Sequence, residues 1–100
     1  MPPVYDEVSA LAFSIKEQAL LTIGRDRLRG LSVEIDASRM AAHVGIALKD
    51  SDDANQLLAL QTLREVQLMF ISEVTMDFGF TTQDSIRALA ETDSVVSAYV

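Results

Sequence analysis

His43 is the only histidine of this 100-residue chain. Imidazole is the side chain best suited to move a proton near neutral pH, and beside a carboxylate such as Glu34 it could act as a general acid or base. Hydrolytic chemistry would also need a nucleophile, and no serine, lysine or cysteine is tied to His43 by a recognisable spacing. A solvated strand histidine is the simpler reading, and no catalytic residue is assigned.

Asp50, Asp52 and Asp53 place three carboxylates within four positions, and clustered oxygen ligands suit a hard divalent cation. The glycine and terminal glutamate of a calcium-binding loop are missing after Asp50-Ser51-Asp52. Capping of a following helix explains the cluster better, so no metal is assigned. Arg25, Arg27 and Arg29 could grip a phosphate or an acidic partner, but they surround Asp26 and read equally as a solvated loop. No cofactor motif is present, whether a glycine-rich phosphate loop or a metal-binding pattern.

Glu34, Asp36, Glu73 and Asp77 are the more informative acids. In SEVTMDFGF, Ser72 to Phe80, apolar residues occupy every even position from Val74, with Glu73, Thr75, Asp77 and Gly79 between them. Alternation of period two buries one set and exposes the other. The same parity exposes Glu34 and Asp36 in the segment Leu31 to Asp36. Like charges on one sheet face cost stability, so such a face serves either solubility or the docking of a basic protein.

The elements that must position these residues follow from periodicity. Val4, Val8, Leu11, Ala12, Ile15, Ala19 and Ile23 predict a helix over 3–23, opened by Pro2 and Pro3 and stopped by Gly24. Gly24 to Gly30 reads as a loop. Leu31, Val33 and Ile35, then Met40, Ala42, Val44, Ile46 and Leu48 across a short turn, predict a hairpin whose eight apolar side chains pack on the first helix. A register slip would bury Glu34 and Asp36. A helix is expected over 52–71, with Leu57, Leu60, Leu63 and Val66 overlapping a stripe of Ala59, Leu63, Val66 and Phe70; a long strand from Val66 is the rival. A strand over 73–80, a short helix capped by Thr81 with Asp84, and a last strand in SVVSAYV complete the order. The αββαβαβ order implies one α+β domain over 1–100. Its expected form is a two-layer sandwich, with an antiparallel-rich sheet and helices on one face. The bare face would then hold Ser32, Glu34, Asp36, Ala41, His43, Gly45, Ala47, Glu73, Thr75, Asp77 and Gly79.

Composition narrows the function classes. Apolar residues are 49% of the chain and charged residues 23%, a globular balance. With no cysteine there is no disulfide framework or thiol chemistry, which suits a reducing, cytoplasmic setting. No leader-like start and no membrane-length apolar run is evident, so a soluble protein is expected. The net charge of −7 disfavours nucleic acid and anionic membranes as partners. The charge is uneven: −2 over residues 1–24, +2 over 25–29 and −7 over 30–100, so a basic partner is drawn to the C-terminal two-thirds.

The hairpin VEIDASRMAAHVGIALKDSDD and the run LREVQLMFISEVTMDFGF, set in a small acidic cysteine-free chain, resemble the bacterial immunity proteins and antitoxins of toxin-immunity systems. The resemblance implies a non-catalytic module that binds a basic, nuclease-type toxin domain tightly and covers or distorts its active site. Strand parity supplies the contact residues: Glu34, Asp36, Glu73 and Asp77, with Asp50, Asp52 and Asp53 at the rim. The alternative is a homo-oligomeric regulatory or small-ligand-binding domain. A homodimer would then form through the last strand or the open face, where Ala41, Gly45, Ala47 and Gly79 permit close approach.

Overall fold

The computed structural model describes the backbone of residues 3–90 and 96–99. The first helix, α1, runs over Pro3–Ile23 and turns Val8, Ala12, Ile15, Ala19 and Ile23 inward, with Leu20 beside them. The side chain of Val4, first in the predicted stripe, lies outside the described residues. Gly24 stops the helix: its φ of 97° is in the left-handed region, and its N–H donates to the Leu20 carbonyl at 2.9 Å.

A 3-10 turn, Arg25–Arg27, leads into strand β1, Leu28–Asp36. The expected loop over 24–30 is therefore too long. Leu28, Arg29 and Gly30 already belong to the strand, and an irregularity at Arg29 breaks the two-residue period that would have revealed them. Strand β2, Ala41–Leu48, pairs antiparallel with β1, placing Val33 opposite Val44 and Glu34 opposite His43. Seven of the eight predicted hairpin side chains are buried; the exception is Met40, which sits in the turn with φ 46°. Each large one contributes about 1.5–3 kcal/mol by leaving water, which locks the register.

Helix α2 covers Asp53–Met69, and the Asp52 carboxylate caps it by accepting the Asn55 N–H at 2.8 Å. Ala59, Leu63, Val66 and Phe70 enter the core, whereas Leu57 and Leu60 stay in water. Helix persists through Met69, which eliminates the rival strand from Val66. Strand β3, Thr75–Phe80, starts two residues later than predicted, because the Glu73 N–H is used in a turn onto the Phe70 carbonyl at 2.9 Å. Helix α3, Gln83–Ala90, is capped by Thr82 rather than Thr81. The Ser85 N–H donates to Thr82 Oγ1 at 3.2 Å, while the Thr81 N–H still extends the sheet onto the Ile46 carbonyl at 2.8 Å. Strand β4 is Val96–Tyr99; Ser94, Val95 and Val100 of the predicted last strand lie outside the described residues.

The α+β class and the αββαβαβ order are as the sequence predicts. The sheet order is β3-β2-β1-β4, antiparallel at two junctions and parallel between β2 and β3. α1 and α2 share one face and one core with the odd-numbered side chains of β1. The expectation of helices on one face holds for these two and not for α3. β2 to β3 steps outward to the sheet edge, and β3 to β4 returns across β2 and β1 to the other edge. Two right-handed crossovers running in opposite directions must place their helices on opposite faces. Accordingly α3 lies against β1 and β4, its Ile86 is fully buried apart from the α1–α2 core, and Ser32, which points to that second face, is also fully buried. α3 thus adds a partial third layer.

Candidate functional site

The second sheet face is divided. Over β1 and β4 it is closed by α3, which buries Ser32 and Ala47. Gly45, opposite Ser32, permits this closure: a Cβ there would lie 2.7 Å from Ser32 Oγ and 3.4 Å from Thr81 Cγ2. Toward the hairpin turn the face is bare.

On that bare part, Glu34, His43 and Asp77 form a row across β1, β2 and β3, set by the pairings Glu34 with His43 and His43 with Asp77. His43 Nδ1 is 2.5 Å from Asp77 Oδ1, with the two side chains 49% and 77% exposed. The imidazole lies over Gly79, where a Cβ would stand 3.2 Å from its Cε1. Beside the row is a shallow depression of about 360 Å³, walled by Glu34, Asp36, His43 and Asp77 and floored by Ile35, Ala41 and Ala42.

Asp36 has a second task. Its Oδ1 accepts the Ser38 hydroxyl at 2.7 Å and the Ser38 N–H at 3.0 Å, and Arg39 Nε stands 3.9 Å from Oδ2. The Ser38 hydroxyl above all, helped by the Ser38 and Arg39 backbone N–H groups and the Arg39 charge, holds this carboxyl below its ordinary value of 3.8, outweighing a desolvation that acts in the other direction. Asp36 therefore organises the turn while lining the depression.

Of the predicted contact residues, Glu34, Asp36 and Asp77 come together. Glu73 does not join their row, because it sits in the α2–β3 turn rather than in the strand. Asp50, Asp52 and Asp53 follow the far end of β2, roughly 25 Å of strand away from the hairpin turn, and are no rim to this depression. Asp52 is occupied as the helix cap, and Asp50 lines a different cleft of about 430 Å³ with Asp26, Arg27, Lys49, Thr22 and Thr62. The arginines disperse as well: Arg25 is 3.7 Å from Glu17, Arg27 lines that cleft, and the Arg29 carbonyl accepts the Gln83 amide. Sequence reasoning missed the division of the face by α3; the signal available was Ser32 facing Gly45, a small pair that suits a covered surface.

The His43–Asp77 pair is a hydrogen-bonded couple, but Ser32 Oγ has no hydrogen-bond partner among the described residues and is not linked to it. Among the described residues, no group of three or more His, Asp or Glu side chains could hold a metal ion. Among the same residues, no helix is long and apolar enough to cross a membrane.

Fold and site together define an α+β domain that presents a small acidic depression on the open part of a mixed sheet. Compared with known protein families, with curated proteins and with solved structures, the chain matches none.

Proposed function

We propose that the chain is a non-catalytic binding module that receives a basic protein on the Glu34–Asp77 face, and more specifically an immunity protein or antitoxin acting in the cytoplasm on a nuclease-type toxin domain. The observation that supports this reading is the convergence of Glu34, Asp36 and Asp77 around a depression lined otherwise by Ile35, Ala41, Ala42 and His43. A projecting arginine or lysine side chain can enter it, keep part of its hydration and meet three carboxylates, with no bulky group to clear first. The net charge of −7 adds long-range attraction, so encounter is faster than for a neutral pair and slows with salt. The absence of cysteine fits a reducing compartment.

The test reverses the two acids that have no structural duty elsewhere in the turn. Glu34→Lys with Asp77→Lys changes the net charge by +4, from −7 to −3, at one half-buried position of β1 and one exposed position of β3. Stopped-flow association with an arginine-rich peptide and with basic nuclease domains, at low and high salt, should show at least a tenfold lower rate and a flattened salt dependence. An unchanged rate in a variant of unaltered circular dichroism would remove the acidic face from consideration.

A further inference from the structure

The outer side of α2 carries a second pattern that its own domain does not use. Ala54, Leu57, Gln61, Arg64, Leu68 and Ile71 are all exposed, and they recur at alternating spacings of three and four, the a and d positions of a heptad. The first five lie on α2 and Ile71 follows two residues after its end, away from the Ala59, Leu63 and Val66 stripe that faces the core. Leu57, Leu60, Leu68, Met69 and Ile71 are exposed to 58%, 38%, 61%, 57% and 65%, which leaves nearly three whole large side chains in water along one short element. A helix needs one apolar stripe to hold it to its sheet; a second one is surface for something else.

We infer that this face binds a second copy of the chain, α2 against α2, antiparallel about a two-fold axis between Thr62 and Leu63. The spacing of the stripe, three-four-three-four-three, is the same from either end, and its two leucines on α2 lie symmetrically about that axis. Leu57 faces the partner's Leu68 and Gln61 faces the partner's Arg64, while Ile71, just past the end of α2, extends the apolar surface. Such self-complementarity is what a two-fold interface requires and what an unrelated partner would not. The charges agree with it. Neither Arg64 nor Glu65 makes an ion pair among the described residues of its own chain, and the antiparallel arrangement brings Arg64 within reach of the partner's Gln61 and the partner's Glu65. A parallel arrangement would stack Asp50, Asp52 and Asp53 on their copies; the antiparallel one sends them to opposite ends.

A contact along about 25 Å of helix, with Leu57, Leu60, Leu68 and Ile71 from each copy, approaches the roughly 1,000 Å² at which specific interfaces begin. Gln61 and Arg64 at its centre set register and weaken it, so the dimer is concentration-dependent. The acidic depression lies on the opposite sheet face, so this inference stands or falls independently of the proposed function.

Sedimentation equilibrium of the full chain tests it. A monomer–dimer equilibrium is expected, and Leu57→Glu with Leu68→Glu should abolish it without changing the circular dichroism, because both side chains are exposed. The register has its own readout in this cysteine-free chain. Leu57→Cys protein mixed with Leu68→Cys protein should form a disulfide-linked pair on mild oxidation. Neither variant should do so alone, since about 16 Å of helix separates each position from its own copy. A monomer at every concentration, a dimer that persists in the double glutamate variant, or equal cross-linking of the single variants would each overturn the inference.

Discussion

Ser32 and Gly45 offer a quantitative check on the placement of α3. Ser32 is fully buried, and its Oγ has no hydrogen-bond partner among the described residues. An unsatisfied buried hydroxyl costs about 1–3 kcal/mol relative to water, so Ser32→Ala should stabilise the fold by about 1 kcal/mol after some loss of packing. For a domain of this size that is a rise in Tm of about 4–8 °C. Gly45→Ala works in the opposite direction, because its Cβ would lie 2.7 Å from Ser32 Oγ, well inside van der Waals contact. Overpacking of this kind costs about 1–3 kcal/mol. The two changes should not add. With the hydroxyl gone, the new methyl meets only Thr81 Cγ2 at 3.4 Å, an ordinary contact, so the double variant should recover about 1–2 kcal/mol beyond the sum of the singles. Urea unfolding of the four proteins, followed by far-ultraviolet circular dichroism, measures the cycle. Additive effects would refute the close approach of Gly45 to Ser32 Oγ, and a loss of more than about 1 kcal/mol in Ser32→Ala would refute the burial of that hydroxyl beneath α3.

Two other substitutions address single interactions. Asp52→Ala removes the cap of α2 and should cost about 1 kcal/mol in urea unfolding, with Asp52→Asn close to neutral. Ser38→Ala should raise the Asp36 carboxyl toward its ordinary value, read by NMR titration. Because that carboxyl is depressed in the folded state, its contribution is complete above the ordinary value of 3.8 and fades as pH falls through the depressed one; the variant should lose less stability over that acid window than the parent.

Much of the scaffold was legible because its periods are unbroken. Val8 to Ile23 repeats over a little more than four turns of α1, and Leu31, Val33 and Ile35 alternate without interruption, so burial of these side chains could be read residue by residue. Where a local irregularity intrudes, the pattern misleads. Arg29 disturbs the period at the start of β1, and Met40 continues the parity of β2 while belonging to the turn. The acidic site was half visible for the same reason. Glu34, His43 and Asp77 lie inside regular strands, where parity and pairing fix the face. Glu73 shares their parity in sequence but precedes the strand, because a helix end is being closed onto Phe70. The side on which α3 packs was not readable at all from its own residues. It follows from the order of strands, and that order is a property of the whole sheet.

The position of β1 between a local and a distant partner has a kinetic consequence. Its pairing with β2 spans a few residues around a tight turn, whereas its pairing with β4 joins Leu31 to Tyr99. Closing the longer loop costs about 2 kcal/mol more in chain entropy, so the hairpin with α1 and α2 forms early, and α3 with β4 docks last. The last unit to dock is also the first to open. Native-state amide exchange should therefore show one cooperative unit of lower protection comprising α3, β4 and the β1 amides that bond to it. Each such opening uncovers Ser32 and turns β1 from a central strand into a free edge. How seldom the C-terminal unit lets go therefore decides how often β1 joins β3 as an edge open to edge-to-edge pairing.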